Sequence, residues 1–94
     1  MRFLWDLQKY KTNFKKHGVY FETAAYVFDD PNLIKIYDEK HSVKEDRWNI
    51  IGMTGDLLLF VVETEMDDDT VVIISARKAN RREEEIYNDE NRTV

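Results

Sequence analysis

Residues 57–76 read LLLFVVETEMDDDTVVIISA, two β-rich runs separated by an acidic turn, and this stretch sets the fold. Residues 57–64 form the most apolar run, which is typical of a strand at the centre of a sheet. Residues 70–76 are β-branched at most positions and favour a second strand. Residues 66–69 leave room only for a loose hairpin, so the two strands are predicted to pair antiparallel.

Three more strands are predicted on the N-terminal side of this pair. Residues 33–37 alternate around apolar positions, and residues 47–53 lead into Thr54-Gly55-Asp56, which suits a tight hairpin. Residues 2–5 are short, apolar and aromatic. Because the connections among the later strands are short, we expect one antiparallel sheet.

Three helices accompany the strands. The first is predicted over residues 7–17, because Asp6 is a good N-cap and Gly18 stands where a left-handed residue ends a helix. The second is predicted over residues 21–28 and the third over residues 79–90. The order β-α-α-β-β-β-β-α indicates an α+β fold with two N-terminal helices and one C-terminal helix on an antiparallel sheet.

The length of 94 residues predicts a single domain over residues 1–94, with a frayed tail at residues 91–94. No apolar run approaches the roughly 18 residues of a membrane helix. The chain has no cysteine and no apolar segment long enough for a signal peptide. We therefore expect a cytoplasmic protein that does not act at a membrane.

The first helix is predicted to have an apolar and a basic face. Apolar residues at helical spacing are expected to form its buried stripe: Leu7, Tyr10 and Phe14. Polar residues with the same spacing are expected on the opposite face: Lys9, Asn13 and Lys16. His17 lies near the border between the two faces.

The first helix concentrates positive charge in an acidic chain. Between residues 7 and 21 there are four lysines and His17 but no acid, whereas the whole chain has a net charge of −5. Such a patch could bind an anion, or it could be an ordinary solvated helix face. The sequence pI near 5.0 weighs against non-specific binding to nucleic acid. It leaves room for a local basic site.

Two arginines at strand ends, Arg47 and Arg77, could converge with this helix if it packs across the sheet. Lysine and arginine stabilise a pentavalent phosphate, and a histidine such as His17 transfers protons near neutral pH. These groups would suffice for RNA cleavage without a metal. The solvated-face interpretation stays open on residue types alone.

Metal and cofactor chemistry finds little support in the sequence. His17 and His41 are too few and too badly spaced for a zinc site. The run Asp67-Asp68-Asp69 lacks the glycine turn and distal glutamate of a calcium loop, so a solvated hairpin tip is favoured. The chain has neither a glycine-rich phosphate loop nor a serine in a nucleophile elbow. We expect no cofactor.

The order of several motifs resembles the BrnT family of toxins from type II toxin–antitoxin pairs. The resemblance rests on Trp5-Asp6, Lys9, Asn13, Lys16-His17-Gly18-Val19, Phe21-Glu22, Ala24 and Val27-Phe28-Asp29-Asp30-Pro31, and on IISARKANRREEEIY at residues 73–87. It implies a fold similar to the RelE-like ribonucleases and an endoribonuclease activity that blocks translation. It also implies a BrnA-type antitoxin with a ribbon-helix-helix region, through which the pair would bind operator DNA.

The resemblance also implies a set of site residues. The implied catalytic groups are His17, Arg77, Lys9 and Arg47, and the implied RNA contacts are Lys16, Asn13, Glu83 and Tyr87. The chain departs from the family pattern at Met66, where members often carry a basic residue. Fewer positive charges on the sheet are expected to weaken RNA affinity. The alternative function is therefore a non-catalytic module that binds an antitoxin and acts as a co-repressor.

Overall fold

A computed structural model describes residues 1–92 of the chain and confirms the α+β class. The strands are β1 (Arg2–Leu4), β2 (Ile34–Tyr37), β3 (Trp48–Thr54), β4 (Leu57–Asp67) and β5 (Thr70–Lys78). The helices are α1 (Leu7–His17), α2 (Phe21–Ala25) and α3 (Arg81–Glu90). Two 3₁₀ turns, Tyr26–Asp29 and Glu39–His41, follow α2 and β2.

The five strands form one sheet in the order β1-β5-β4-β3-β2, with β4 at its centre as expected. The pairs β2–β3, β3–β4 and β4–β5 are antiparallel, but β1 runs parallel to β5. The sheet is therefore mixed, and the prediction of a wholly antiparallel sheet is wrong for β1. Short connections fix the direction of the later strands, whereas no hairpin joins β1 to β5.

Several boundaries differ from the expected ones. The second helix becomes a 3₁₀ turn after Ala25, and Asp30 is extended because it precedes a proline. The hairpin between β4 and β5 is tight, since Asp67 pairs with Thr70 and a register shift near Met66 absorbs the extra residue. Helix α3 begins two residues later than predicted, at Arg81.

The core lies between the sheet and α2 with its following turn. Three residues from this layer are fully buried: Phe21, Ala24 and Val27. They belong to one cluster with apolar residues of the central strands: Ile50, Leu59, Val61, Ile73 and Ala76. Each large side chain buried in this way stabilises the fold by about 1.5–3 kcal/mol. Gly52 allows the close approach, because a Cβ there would lie 3.0 Å from Val27 Cβ.

Helix α1 has the predicted caps but a different buried face. Asp6 accepts a hydrogen bond from the Lys9 N–H at 3.1 Å, and Gly18 has a left-handed φ of 70°. Leu7 and Phe14, expected in the buried stripe, are 62% and 39% exposed. The buried residue of α1 is Asn13, only 5% exposed. The expected buried stripe is therefore wrong for Leu7 and Phe14, and Asn13 is buried on the face that it shares with Lys9 and Lys16.

Asn13 is buried because its side chain completes the hydrogen bonding of a strand edge. Its Nδ2 donates to the Ala76 carbonyl at 2.9 Å, and its Oδ1 accepts from the Ala76 N–H at 3.0 Å. Nδ2 also donates to the Val19 carbonyl at 3.1 Å. The pairing of β1 with β5 ends at Val72, so Asn13 takes the place of a strand partner further along β5.

The C-terminal helix is tied to the turn after α2. The Tyr87 hydroxyl donates to Asp30 Oδ2 at 2.6 Å, and Asn91 Nδ2 donates to the Asn32 carbonyl at 3.0 Å. Asn91, placed by the sequence in a frayed tail, is thus held by a tertiary contact. The rest of the expected tail, at residues 93–94, lies outside the described residues.

Candidate functional site

A cleft of about 410 Å³, here called the first cleft, opens beside α1 and β5. It gathers five of the eight predicted site residues: Lys9, Asn13, Lys16, His17 and Arg47. Four other residues also line it: Gln8, Thr12, Ile74 and Ser75. From the sequence, Arg47 was expected to converge with α1 only if the helix packs across the sheet. In the structure Arg47 does line the same cleft as α1.

The lysines reach the first cleft because their face of α1 is the face that lies along β5. Lys9 and Lys16 stand four residues before and three residues after Asn13, so all three share one side of the helix. The hydrogen bonds from Asn13 to Ala76 fix that side against the strand. Asn13 therefore positions the cations, and both ends of its carboxamide are already bonded within the chain.

Arg47 is held by a loop that closes on itself. The Ser42 hydroxyl donates to the Asp38 carbonyl at 2.6 Å and accepts from the Arg47 N–H at 2.9 Å. The Asp38 N–H donates to the Arg47 carbonyl at 2.9 Å. Glu45 lies 3.7 Å from the Arg47 guanidinium, a long contact between partly exposed groups that leaves the cation available.

The first cleft is positive although the protein is acidic. Its lining includes Lys9, Lys16 and Arg47, and no aspartate or glutamate is among the described residues that line it. The last turn of α1 also carries Lys15, Lys16 and His17, which complement the negative end of the helix dipole. The positive charge of this turn therefore stabilises the end of the helix, and Lys16 and His17 also line the cleft.

A second cleft, of about 350 Å³, adjoins the first. The two share Arg47, Ile74 and Ser75. The remaining lining residues come from the loop after β2 and from the sheet face: Asp38, His41, Asn49, Phe60 and Val62. Arg47 thus stands where two clefts meet, with His17 in one and His41 in the other.

Arg77 lines neither cleft and has its own partner. Its guanidinium donates two hydrogen bonds of 2.8 Å to the Glu83 carboxylate. The same group lies 4.3 Å from the centre of the Phe60 ring, which lines the second cleft. Its charge is therefore largely neutralised before any substrate arrives, unlike that of Arg47.

Glu83 is buried and fully engaged in structure. Besides binding Arg77, its carboxylate accepts from the Asn80 N–H at 2.8 Å, while Asn80 Oδ1 accepts from the Glu83 N–H at 2.9 Å. This reciprocal pair is a capping box that starts α3. Glu83 therefore joins the helix start to β5, away from the first cleft.

Tyr87 also lies apart from the first cleft. Burial and the hydrogen bond to Asp30 raise the pKa of Tyr87 to about 12, so its hydroxyl stays protonated in the neutral range. Burial alone would raise the pKa of Asp30, but hydrogen bonds from Tyr87, Met53 and Asn32 lower it overall. This contact connects α3 to the helix layer. It joins none of the groups predicted to act on a phosphate.

Some residues that line or support the clefts were not predicted from the sequence. A bulge in β5 or a loop places them there. Ser75 pairs with Val62 while Ile73 pairs with Glu63, so Ile74 is the extra residue of a bulge. The alternation of the strand shifts there, and hydropathy gives no sign of the shift. Asp38 and Ser42 were missed because their roles depend on loop closure.

Neither a metal cluster nor a membrane span is found in the part of the chain that the structure describes. No group of three or more potential His, Cys, Asp or Glu ligands comes together within residues 1–92. No helix in that range is both long and apolar enough to cross a membrane.

Comparison with known proteins identifies the family. The family model described as the ribonuclease toxin BrnT of type II toxin–antitoxin systems matches residues 5–83. The fold is similar to the crystal structure of the Brucella abortus ribonuclease toxin BrnT, with a TM-score of 0.63 and 25% sequence identity over 86% of this chain and 99% of that one. No curated protein matches the sequence. The chain belongs to the BrnT family of ribonuclease toxins.

Proposed function

We propose that this chain is the toxin of a type II pair and cleaves RNA endonucleolytically at the first cleft, without a metal ion. The observation that carries the proposal is the convergence of three cations and a histidine: Lys9, Lys16, Arg47 and His17. No aspartate or glutamate is among the described residues that line the first cleft, and this favours an anionic ligand. Cleavage of RNA would block translation. A protein with this substrate would act in the cytoplasm.

The first cleft supplies groups that would bind the scissile phosphate and take the 2′-hydroxyl proton, and the leaving 5′-oxygen takes its proton from a further donor. The 2′-hydroxyl of RNA attacks its own phosphorus, the O2′–P bond forms and the P–O5′ bond breaks. The products carry a 2′,3′-cyclic phosphate and a 5′-hydroxyl. The lysines and Arg47 stabilise the added negative charge of the transition state, and His17 takes the 2′-hydroxyl proton. DNA is inert in this scheme because it lacks the nucleophile.

Arg77 takes a supporting role in this proposal. Its pairing with Glu83 and its position over Phe60 suit it to hold the wall of the second cleft rather than the scissile phosphate. Asn13 and Glu83 likewise act by positioning, since their polar atoms are bonded within the chain. Tyr87 binds Asp30 and is assigned no contact with RNA.

The lysines of α1 provide a matched test of the site. Lys9 and Lys16 line the first cleft, whereas Lys11 and Lys15 are exposed on the same helix and do not. The double variant Lys9→Ala/Lys16→Ala is expected to cleave RNA much more slowly in EDTA than Lys11→Ala/Lys15→Ala, although the net charge changes equally. Arg47→Ala should lose on the order of a hundredfold in rate. The measurement is the single-turnover rate on an RNA and on a copy with 2′-deoxy substitutions.

Three outcomes would contradict the proposal. Equal rates for the two double-lysine variants would remove the first cleft from the reaction. Cleavage that stops in EDTA, or that continues on the deoxy substrate, would exclude the metal-free mechanism.

A BrnA-type antitoxin is the proposed partner, and exposed aromatic residues support it. Tyr20 and Tyr26 are exposed on the helix layer, and Phe14 stacks on Tyr20 with ring centres 4.2 Å apart. Such side chains are typical anchors of interfaces. The antitoxin would supply the operator-DNA contacts through its ribbon-helix-helix region, since this chain has a net charge of −5.

The neutralised Arg77 favours a second candidate, a non-catalytic module that binds the antitoxin and serves as a co-repressor. One of the four expected cations, Arg77, already forms a close ion pair with a carboxylate. Expression of the chain without an antitoxin discriminates the two functions. Growth arrest that Arg47→Ala relieves supports the ribonuclease, and harmless expression combined with tight antitoxin binding supports the module.

A further inference from the structure

We propose that His41, oriented by Asp38, is the general acid of RNA cleavage and protonates the leaving 5′-oxygen from the second cleft. The inference rests on the proposed ribonuclease function and assigns a residue that the site predictions did not include. Asp38 acts as its positioning residue. His17, in the first cleft, remains the base that takes the 2′-hydroxyl proton.

The reaction involves two proton transfers at different oxygens. The nucleophile loses a proton as the O2′–P bond forms, and the leaving oxygen gains one as the P–O5′ bond breaks. A single imidazole cannot be neutral for the first and protonated for the second in one transition state. A second proton-transfer group on the far side of the phosphate removes this difficulty, and the two clefts meet at Arg47, which would hold that phosphate.

The Asp38–His41 pair has the geometry of an oriented imidazole. His41 Nδ1 lies 2.9 Å from Asp38 Oδ2, and the His41 N–H donates to Asp38 Oδ1 at 3.3 Å. With Nδ1 engaged by the carboxylate, Nε2 is the nitrogen available to substrate, and the side chain is 60% exposed. Burial raises the pKa of Asp38, but hydrogen bonds from His41 lower it overall, so the partner stays anionic.

The surroundings of the two histidines assign their roles. His41 is paired with a carboxylate that fixes the orientation of its ring, as a group that delivers a proton to one particular oxygen requires. His17 lines the first cleft with Lys9, Lys16 and Arg47, and these cations would stabilise the negative charge that develops as the 2′-hydroxyl loses its proton. The acid therefore belongs to the second cleft and the base to the first.

The same loop fixes His41 and the phosphate-binding Arg47 relative to each other. Ser42 joins the Asp38 carbonyl to the Arg47 N–H, and Asp38 in turn binds both the main chain and the ring of His41. Support of this kind is what a proton-transfer group needs to keep its position.

A substrate with sulfur in place of the bridging 5′-oxygen tests the role directly. A thiolate leaves without a proton, because a thiol is far more acidic than an alcohol. On ordinary RNA, His41→Ala is expected to reduce the single-turnover rate by about 10²- to 10⁴-fold. On the sulfur substrate it should cleave at close to the rate of the unaltered protein. His17→Ala should be slow on both substrates, and Lys40→Ala, beside His41, should match the unaltered protein on both.

Asp38→Asn gives the second readout. It should lower the rate on ordinary RNA with little change in substrate affinity, and the sulfur substrate should restore that rate as well. A merely structural role of the pair would slow both substrates equally. Equal loss on both substrates, or no loss for His41→Ala, overturns the inference while leaving the proposed function in place. If the unaltered protein cleaves neither substrate, the proposed function itself fails.

Discussion

At the scale of single residues, the least expected side chain is Glu63, an acid at the centre of the sheet. It is fully buried on β4, and neither carboxylate oxygen has a hydrogen-bond partner in the described part of the chain. Burial, and then the nearby charge of Glu65, raise the pKa of Glu63 from 4.5 to about 7, although Lys35 opposes this shift. Glu63 therefore changes its charge near neutral pH.

The raised pKa predicts that the fold weakens as pH rises. Below pH 4.5 Glu63 is protonated in both the folded and the unfolded chain, and between 4.5 and 7 it ionises first in the unfolded chain. Stability is thus lost over that range, by up to about 3 kcal/mol. Glu63→Gln should flatten the dependence and stabilise the protein at pH 8. Urea unfolding at pH 5 and pH 8 measures the change in the free energy of unfolding, with the exposed Glu90→Gln as control. Parallel pH dependences for Glu63→Gln and the unaltered protein would contradict the prediction.

At the scale of elements, the position of α1 depends on a polar side chain, Asn13, as well as on Tyr10, which packs against the core. Asn13 bonds to both main-chain groups of Ala76, and the helix carries Leu7 and Phe14 on its exposed side. Removal of one partner leaves buried polar groups unsatisfied, which costs more than the bond itself contributes. The basic face of α1 is consequently placed by a contact that carries no charge.

Asn13→Asp therefore should damage both stability and the first cleft. Aspartate keeps the shape but cannot donate to the Ala76 and Val19 carbonyls, so the free energy of unfolding should fall by about 2–4 kcal/mol. Amide exchange should accelerate at Ala76 before it does at Val61 on the central strand. Lys11→Ala, an exposed change on the same helix, serves as control. Unchanged stability together with weaker RNA binding would instead assign Asn13 to the substrate.

At the scale of the whole molecule, the protein separates its charges. The first helix and the first cleft are positive, while the chain as a whole has a net charge of −5. Such separation directs a charged partner to one side and affects the rate of encounter more than the final affinity. The aromatic residues near α1 would then supply the lasting contacts.

Association with the proposed antitoxin should therefore depend on salt through the cleft lysines. Lys9→Ala/Lys16→Ala is expected to slow association and to flatten its dependence on ionic strength, more than Lys11→Ala/Lys15→Ala does. Stopped-flow association rates across a range of salt concentrations measure the two slopes. If all three proteins give the same slope, the antitoxin docks elsewhere and does not cover this face.

Local signals in the sequence predicted most of the fold. The caps of α1 at Asp6 and Gly18 were readable because capping depends on neighbours in the chain. The parallel pairing of β1 and the buried Asn13 were not, since both depend on β5, which comes late in the sequence. Hydropathy assigns polar residues to solvent and cannot register a side chain that bonds to a strand edge.

The site was predictable in the same uneven way. Helical spacing grouped Lys9 with Lys16, and its place at the start of a strand suggested Arg47, which lines the first cleft with them. Arg77 was placed in the same group on equal grounds, but Glu83, six positions later, binds it. Which of the two arginines lacks a close carboxylate partner depends on where α3 begins. That position is set by the tertiary structure and cannot be read from local sequence.

The contact between Asn13 and Ala76, 63 positions apart, has a consequence for the order of events during synthesis. The ribosome makes α1 early, but the strand that receives it emerges only when most of the chain is complete. Closing so long a loop comes late in folding, because the chain must lose conformational entropy before the contact can form. A nascent chain or a fragment that stops before β5 therefore has the lysines without the cleft, and it is expected to lack the RNA cleavage proposed for the complete fold.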